Sequence, residues 1–438
     1  MRSGMTTTQT ERPEQPPAPD PTPAEQRSAL FRLLFIVVAG LFAAYVAGVT
    51  STVLVVVAII VMIMLHELGH FATAKWAGMK VTEYFLGFGP RLWSIRRGET
   101  EYGVKAIPAG GYVKIIGMSN LEKIDPADEP RTYRQKPYWR RLSVAVAGST
   151  VHFILAFVLL VAVFAGVGVV NYDKPQLEVG SISSLSKGPS PAEKAGFRVG
   201  DRLVAVDGRR LESWNEVPPY IKKRPGQPIV FSVVRDGRPL ELTAVPADRS
   251  KVTVEGDTGA RPSEPLGFVG VGPSFPVERA GPVDAVGRAT TELGRVTKAT
   301  LSALANIFSP EGASAYGRSL LGSSSGQPRP EDPRFLSPVG FVRVASQAAE
   351  SSWRDVLFLL ILINVFVGVF NMIPLLPLDG GHVAIATYER LRSRRGRRYH
   401  ADIAKAMPVY YAVFFVLVFL GVTSLYLDIV RPAANPFQ

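Results

Sequence analysis

The chain has 438 residues, a formal net charge of +12, a hydrophobic fraction of 47% and no cysteine. This composition suits a membrane protein with several spans and one or more soluble modules, and it is too polar for a protein that lies entirely within a membrane. Without cysteine, disulfides and Cys-based zinc sites are excluded, so any metal must be bound by His, Asp or Glu. The basic residues cluster beside apolar segments, which positive-inside topology explains, so we expect no nucleic-acid binding.

The first two apolar segments lie close together near the N-terminus. Residues 1–27 are rich in Pro, Thr, Glu and Gln and are expected to form a disordered cytoplasmic tail. The apolar residues 28–49 are expected to form an extra transmembrane helix ahead of the others. The break before the next apolar segment, 50–75, is so short that the chain must turn straight back. The two segments are therefore expected to form a helical hairpin.

The second apolar segment contains the sequence His66-Glu67-Leu68-Gly69-His70. Titratable side chains inside hydrocarbon are costly unless a partner compensates them. Two histidines four positions apart share one face of a helix and can bind one zinc ion through neutral imidazoles. Glu67, between them, is placed to act as a general base. A chance match is the alternative, and the position within an apolar span argues against it.

Three further apolar segments and two basic loops set the topology. Basic residues crowd 76–141 and 383–405, so the positive-inside rule places both loops in the cytoplasm. The N-terminus then lies inside, whereas residues 172–350 and the C-terminus lie outside. His66 lies about 14 residues from the outer start of its helix, which puts the metal about 10 Å below the cytoplasmic surface of the hydrocarbon core. Five membrane helices are expected: 28–49, 50–75, 142–171, 351–382 and 406–430.

The third zinc ligand is expected far downstream, because a hydrolytic site usually has three protein ligands and a water. Pro374 and Pro377 break the helix at the end of the fourth span, and Asp379 follows with a carboxylate at the right depth. Alone, Asp379 would be interpreted as a turn residue in an Asp-Gly-Gly sequence. Beside a histidine pair that lacks a carboxylate, it is better explained as a ligand. His382 could be a fourth ligand or could donate a hydrogen bond to one of the ligands, but a surface position is expected for it.

These motifs resemble those of the site-2 protease family of intramembrane zinc metalloproteases, in the bacterial branch that carries a PDZ module. The similarity covers about residues 50–427, and its two signatures are the histidine motif and the segment from Asn371 to Gly380. The resemblance implies one Zn²⁺ per chain, bound by His66, His70 and Asp379. It also implies that Glu67 activates the water.

The resemblance extends to candidate substrate-binding residues. Residues 103–114, with Gly110 and Gly111, are similar to a membrane re-entrant β-loop that is thought to present the substrate in extended form near the catalytic site. An ordinary surface hairpin with a Gly-Gly turn is the alternative. Asn371 and Pro374 match the family pattern. The Asn371 amide could polarise the scissile carbonyl or hold the substrate backbone, or it could satisfy the broken helix.

Two other segments occupy the places of family motifs. Ser337-Pro338-Val339-Gly340 is similar to the segment before the third core helix. The segment from Ala147 to Phe153 lies where the family has proline after the glycine and asparagine before the phenylalanine, and here those positions hold Ser149 and His152. The resemblance therefore does not carry the role of this motif over. His152 and His400 also stay outside the expected ligand set, although His152, within an apolar span, is a candidate for a polar contact in the cavity.

The large outer region divides at about residue 250. Residues 172–250 consist of short β-rich runs and turns, and their Ala-Gly-Phe, Gly-Asp and Val-Asp-Gly spacing resembles a PDZ domain. Such a domain binds chain ends or extended peptides by strand addition, or it acts as a size filter over the active-site mouth. In the linker 251–350, residues 280–308 indicate an amphipathic helix on the outer membrane surface or a helix in a soluble core. Residues 309–332 are predicted to form a flexible loop.

The expected fold is a polytopic α-helical membrane protein with an extracytoplasmic PDZ domain and a small cytoplasmic-side re-entrant β-loop, located in the plasma membrane. The expected function is that of a zinc-dependent intramembrane endopeptidase in regulated intramembrane proteolysis. The resemblance implies single-pass membrane proteins, such as anti-sigma factors, as substrates within the lipid bilayer. The alternative is a catalytically idle scaffold that binds partners through its PDZ domain. The intact base Glu67 argues against the scaffold, because a structural zinc site prefers four protein ligands.

Overall fold

The structure is a computed structural model that describes residues 22–118, 122–255, 262–321, 335–393, 399–432 and 435. Within these ranges, five helices are long and apolar enough to cross a membrane, which fits the five membrane helices expected from the sequence. The chain divides into two compact units. The first contains the described residues of Met1–His152, Phe335–Ser346 and Val367–Arg431, and the second contains those of Phe153–Arg334, Gln347–Phe366 and Pro432–Gln438.

The described helices in chain order are α1 Pro23–Val46, α2 Thr50–Trp76, α3 Tyr138–Ala162, α4 Pro191–Ala195, α5 Val217–Lys222, α6 Pro282–Ile307, α7 Pro310–Leu321, α8 Pro338–Ser351, α9 Trp353–Asn371, α10 Asp379–Arg392 and α11 Ile403–Val430. The candidate membrane spans are α1, α2, α3 with the π-helical turn that follows it, α9 and α11.

The described strands are β1 Val81–Arg97, β2 Thr100–Ile115, β3 Val169–Val170, β4 Gln176–Ile182, β5 Arg202–Val206, β6 Arg209–Arg210, β7 Ile229–Arg235, β8 Arg238–Ala244, β9 Ala247–Asp248, β10 Gly267–Phe268, β11 Val271–Ser274 and β12 Val277–Glu278.

The first helix begins at Pro23 rather than at residue 28. Thr22 and Glu25 form a capping box, in which each side chain accepts a hydrogen bond from the backbone N–H of the other, and Pro23 favours the first helical turn. Residues 23–27 of the expected tail are therefore helical, and residues 1–21 lie outside the described part. Most of α1 presents apolar side chains outward, with Phe31 71% and Phe35 74% exposed, as expected for a helix in lipid.

Strands β1 and β2 form a long two-stranded sheet beside α2. Residues 83–86 have partners on both sides, 101–104 and 111–114, so the long strands fold back into a small layered sheet. The hydroxyl of Tyr84 donates to the Met64 carbonyl of α2 at 2.7 Å. A buried cluster joins this sheet to the end of α2 and the start of α3: Ala74, Ala77, Met79, Val81, Ile115, Tyr133 and Val144. The sheet is thereby held against the helix that carries the histidine motif.

The expected fourth span and the basic loop after it have different bounds in the structure. Helix α9 ends at Asn371, and α10 begins at Asp379 and continues to Arg392, so much of 383–405 is helical. Residues 394–398 lie outside the described part. A β-carbon on Gly380 would lie 2.3 Å from the Ile373 carbonyl oxygen, and one on Gly381 would lie 2.6 Å from the Leu376 nitrogen. The two glycines therefore let the new helix start directly against the connection 372–378.

The segment Ser337-Pro338-Val339-Gly340 is tied to the last span. The Ser337 N–H donates to the buried Asp428 carboxylate at 2.7 Å, and Arg343 donates to the Asp428 carbonyl at 2.8 Å. A β-carbon on Gly340 would lie 2.0 Å from Asp428 Oδ2. Glycine is therefore required at position 340 for α8 to approach α11 this closely.

The second unit contains a six-stranded antiparallel sheet with the path β11-β4-β5-β7-β8, and β6 pairs with β5. Asp207 and Asp236 each have positive φ and precede glycines with positive φ, which is the geometry of tight hairpin turns. The core contains Phe197, Trp214 and Phe231, among other residues from the sheet, α4 and α5. The expected β domain is present, and its assignment as a PDZ domain stays a prediction.

The region after this sheet is more helical than expected. The prediction of a flexible loop over 309–332 is wrong for α7, which ends at Leu321, and the rest of that range lies outside the described part. The Gly312 N–H donates to the Ser309 hydroxyl, which caps the helix start. Helix α6 packs Ala289 and Leu293 against residues of the α3 and α9 segments, including Leu160 and Ile361. One face of α6 is therefore packed on membrane spans.

Candidate metal centre

Helices α2 and α10 bring His66, His70 and Asp379 together, as the sequence predicts. The two Nε2 atoms lie 3.1 Å apart, and each lies 3.3 Å from Asp379 Oδ2. In tetrahedral zinc sites with bonds of about 2.0–2.1 Å, neighbouring ligand atoms lie about 3.3–3.4 Å apart. The spacing of these three atoms therefore fits one zinc ion. Among the described residues, they form the group of His, Asp and Glu that could hold a metal.

Burial supports the fit. His66 and His70 are 7% and 8% exposed, and Asp379 Oδ2 is buried without a hydrogen-bond partner. Two imidazole nitrogens and a carboxylate oxygen that all direct lone pairs at one point repel each other, and a dication at that point removes the repulsion. The donor set, two nitrogens and one oxygen, is also typical of catalytic zinc, because it leaves one position open.

The ligand rings are oriented by helix α3. His70 Nδ1 lies 2.7 Å from the Val144 carbonyl oxygen. Because a carbonyl only accepts, Nδ1 carries the proton and Nε2 has its lone pair free for a metal. A β-carbon on Gly148 would lie 2.3 Å from His66 Cε1 and 2.5 Å from Nε2 of both histidines. The α3 backbone thus lies directly on the two rings, and only glycine fits there.

Of two residues near the ligands, Gly148 was missed by sequence reasoning, and His152 was expected only as a polar contact in the cavity. Gly148 belongs to the segment whose role could not be carried over from the family, and its glycine is the signal that could have indicated a close backbone approach. His152, from the same segment, is 1% exposed, and its ring centroid lies 4.9 Å from that of His66. It is not part of the group that could hold a metal.

Glu67 lies between the ligand helix and strand β2. The Val113 backbone N–H donates a hydrogen bond to its carboxylate. A β-carbon on Gly111 would lie 3.1 Å from Glu67 Cγ and 3.0 Å from Met64 Sδ. The next glycine, Gly110, has φ +153° and faces the Phe88 ring. The structure therefore brings the Gly-Gly segment beside the expected base.

The remaining candidates lie at the break between α9 and α10. Asn371 is the last residue of α9 and is half-buried, and Pro374 is exposed in the connection. Neither belongs to the metal-binding group, so their roles stay predictions. His382 is half-buried beside the Tyr133 ring rather than exposed as expected, with centroids 6.3 Å apart. The start of α10 at Asp379 turns this residue inward, one helical turn after the ligand.

Comparisons with known proteins agree with this site. Residues 54–418 match the model of Peptidase family M50. The chain is 34% identical to the zinc metalloprotease Rip1 of Mycobacterium tuberculosis H37Rv over 410 residues, which cover 88% of this chain and 98% of the relative. It is 33% identical to Rip1 of Mycolicibacterium smegmatis over 87% of this chain and 97% of the relative. The chain thus belongs to peptidase family M50, the site-2 protease family, and is a zinc metalloprotease with several membrane spans.

Proposed function

We propose that this metalloprotease is an intramembrane endopeptidase that cleaves transmembrane segments of single-pass membrane proteins, anti-sigma factors among them, in regulated intramembrane proteolysis. The observation that carries the proposal is the position of His66 and His70 within α2, an apolar helix of 27 residues. His70 lies six residues before Trp76, which corresponds to about 9 Å along the helix. The ligand atoms are therefore at the depth of hydrocarbon, where the peptide bonds available for cleavage belong to membrane segments.

The roles of the side chains follow from their contacts. When bound by His66, His70 and Asp379, zinc supplies a Lewis acid that polarises the scissile carbonyl and makes a water more acidic. Glu67 accepts the proton of the water that attacks the carbonyl carbon and returns it to the nitrogen of the leaving amine. The Val113 N–H holds the Glu67 carboxylate in place for both transfers.

The substrate is proposed to lie along β2. A peptide bond inside a helix is shielded by the surrounding turns, so the substrate must become extended before attack, and addition to a strand edge stabilises that form. Within the described sheet, 111–114 pairs with 83–86 on one side, and Val113 directs its N–H the other way, to Glu67. Gly111 lets the β2 backbone lie directly beside the base, and the substrate backbone is proposed to run near Gly110 and Gly111. The Asn371 amide is proposed to hold that backbone from the opposite side, at the break that contains Pro374.

The six-stranded domain is proposed to be a PDZ module on the extracytoplasmic side, together with the C-terminus, whereas the N-terminus lies in the cytoplasm. The fold supports this with its short antiparallel strands and two small helices, α4 and α5. As a PDZ module it would bind a chain end or an extended peptide of the substrate.

The test uses purified full-length protein in liposomes with a single-pass substrate. Wild type, Glu67→Gln and the exposed control Glu212→Gln are compared, and the products are mapped by mass spectrometry. We expect cleavage within the apolar segment, a loss of about 100-fold or more in rate for Glu67→Gln, and no change for Glu212→Gln. Zinc content should be equal in all three proteins. Cleavage confined to the soluble flanks would overturn the intramembrane assignment, and unchanged cleavage by Glu67→Gln would overturn the role of the base.

A further inference from the structure

A cleft of about 390 Å³ lies between the first half of α1 and strand β1, outside the metal centre. The residues that line it include Arg32 and Arg91, together with Trp93, Leu33 and Ile36. Sites for small molecules usually have volumes of roughly 300–1,000 Å³. We propose that this cleft binds an anionic phospholipid, with the phosphate at the two arginines and an acyl chain along Leu33 and Ile36.

The sequence of α1 places the cleft at the level of lipid headgroups. After Arg32, no residue of α1 carries a charge as far as its end at Val46. Arg32 therefore marks the boundary between the polar and the hydrocarbon part of the helix. Tryptophan is typical of this boundary, and Trp93 lies in the same cleft. Arg32 marks this boundary whichever side of the membrane the N-terminus occupies.

The charges of the cleft fit a phosphodiester. Arg32 donates only weak hydrogen bonds to its own helix, at 3.4 Å to the Ser28 carbonyl and 3.2 Å to the Ser28 hydroxyl. Arg91 forms an ion pair with Glu101 through Nη1 at 2.7 Å, which leaves its other N–H groups available. The one carboxylate in the wall, Glu25, is hydrogen-bonded to Thr22 in the capping box. Ser28 and Glu101 engage only some of the N–H groups of the two arginines, and the remaining guanidinium N–H groups can bind phosphate oxygens in bidentate fashion.

A bound lipid would also explain how α1 is held. Among the described residues of this helix, Ala44 is the buried one, so few protein contacts fix α1 in place. A lipid seated in the cleft contacts α1 and β1 together. The extra helix would then be attached to the sheet through a lipid whose headgroup is recognised by charge.

The test uses purified full-length protein and native mass spectrometry with phosphatidylglycerol and phosphatidylcholine of the same chain length. We expect wild type to retain phosphatidylglycerol preferentially. Arg32→Gln should weaken this binding about fivefold, since one arginine near an anionic membrane surface contributes that much. The matched control Arg27→Gln, an exposed arginine of the same helix outside the cleft, should stay within about twofold of wild type. Equal retention of both lipids, or equal losses in both variants, would overturn the proposal.

A second arm separates a lipid from free phosphate. The thermal stability of wild type is measured with phosphatidylglycerol and with inorganic phosphate, each in excess. Stabilisation by the lipid that inorganic phosphate neither reproduces nor displaces supports the proposal. Equal stabilisation by inorganic phosphate, lost in Arg32→Gln, would show a phosphate site and overturn the lipid assignment. Zinc content in every variant confirms folding, and because no proteolysis is measured, the result is independent of the proposed function.

Discussion

Gly148 of α3 lies so close to His66 that a β-carbon at position 148 would be 2.3 Å from the imidazole Cε1. The same β-carbon would be 2.5 Å from Nε2 of His70. No real side chain tolerates such distances, so the helix backbone itself forms one wall of the metal centre. The histidine motif can bind metal as proposed only while this wall has no side chain.

Gly148→Ala should therefore displace both imidazoles and weaken zinc binding by roughly 10- to 100-fold, the usual effect of disturbing the groups that orient metal ligands. The measurement is competition for zinc with a chelator of known affinity. Gly166→Ala is the matched control, because no atom lies within 4 Å of its β-carbon. If the Gly148→Ala protein binds zinc as tightly as the Gly166→Ala protein, the inference that α3 orients the ligands is wrong.

Replacement of any one candidate ligand by alanine, His66→Ala, His70→Ala or Asp379→Ala, should reduce bound zinc well below one ion per chain. The reason is that two remaining ligands do not hold zinc in competition with water. Zinc in the purified proteins is measured by elemental analysis. His400→Ala serves as the control, since His400 is exposed and outside the group. Equal zinc in wild type and His70→Ala would contradict the ligand assignment.

Gly111→Val should separate catalysis from metal binding. The new side chain would collide with Glu67 Cγ and Met64 Sδ, which lie 3.1 and 3.0 Å from the β-carbon position, and no ligand atom is among the three atoms nearest to that position. We expect proteolysis to fall by about tenfold or more while zinc content stays at the wild-type level, because the base is displaced. Gly40→Val, in the open surroundings of α1, is the control. A parallel loss of zinc would show that the site as a whole had been distorted.

Glu99 should make stability depend on pH. The hydrogen bond from Arg131, with a further one from Lys75, lowers the pKa of Glu99 to about 2. In the unfolded chain its pKa is about 4.3. Because the folded pKa is the lower one, the stabilisation is present above pH of about 4.3 and is lost as the pH falls towards about 2. Glu99→Gln should therefore lower the melting temperature at pH 7, and the difference from wild type should shrink at pH 3.

The control for this experiment is Glu212→Gln, an exposed carboxylate on the six-stranded domain. Its melting temperature should follow that of wild type at both pH values. A constant difference between wild type and Glu99→Gln from pH 7 to pH 3 would show that Glu99 acts through packing rather than through its charge.

The proposed topology predicts which side of the membrane each loop faces. Because the chain has no cysteine, a single introduced cysteine can be labelled without background. Ser186→Cys, exposed in the second unit, should react with an impermeant maleimide in intact cells. Ala127→Cys, exposed in the basic loop after β2, should react only after permeabilisation. The reverse pattern would invert the topology.

The sequence by itself determined the number of spans and the group of candidate ligands. Both are local or strongly constrained properties: a long apolar run predicts a membrane helix, and two histidines four apart share a face whatever surrounds them. Asp379 lies some 300 positions downstream, but the proline break beside it and the need for a third ligand were sufficient to identify it. The start of α1 at Pro23 also has a local sequence signal, the Thr22–Glu25 capping box. The prediction of a disordered tail rested on composition and did not take this capping box into account.

Only the tertiary structure shows which groups contact the metal ligands, the base and Arg32. The Gly148 backbone lies on His66, Val113 donates to Glu67, and Arg32 shares a cleft with Arg91. The two partners in each of these contacts are about 45 to 80 positions apart along the chain, so no local sequence pattern predicts them. Such contacts depend on how helices and sheet pack in three dimensions. Residue types and their spacing identify the candidate ligands. Their orientation depends on backbone segments that lie far away in the sequence and that only tertiary packing brings close.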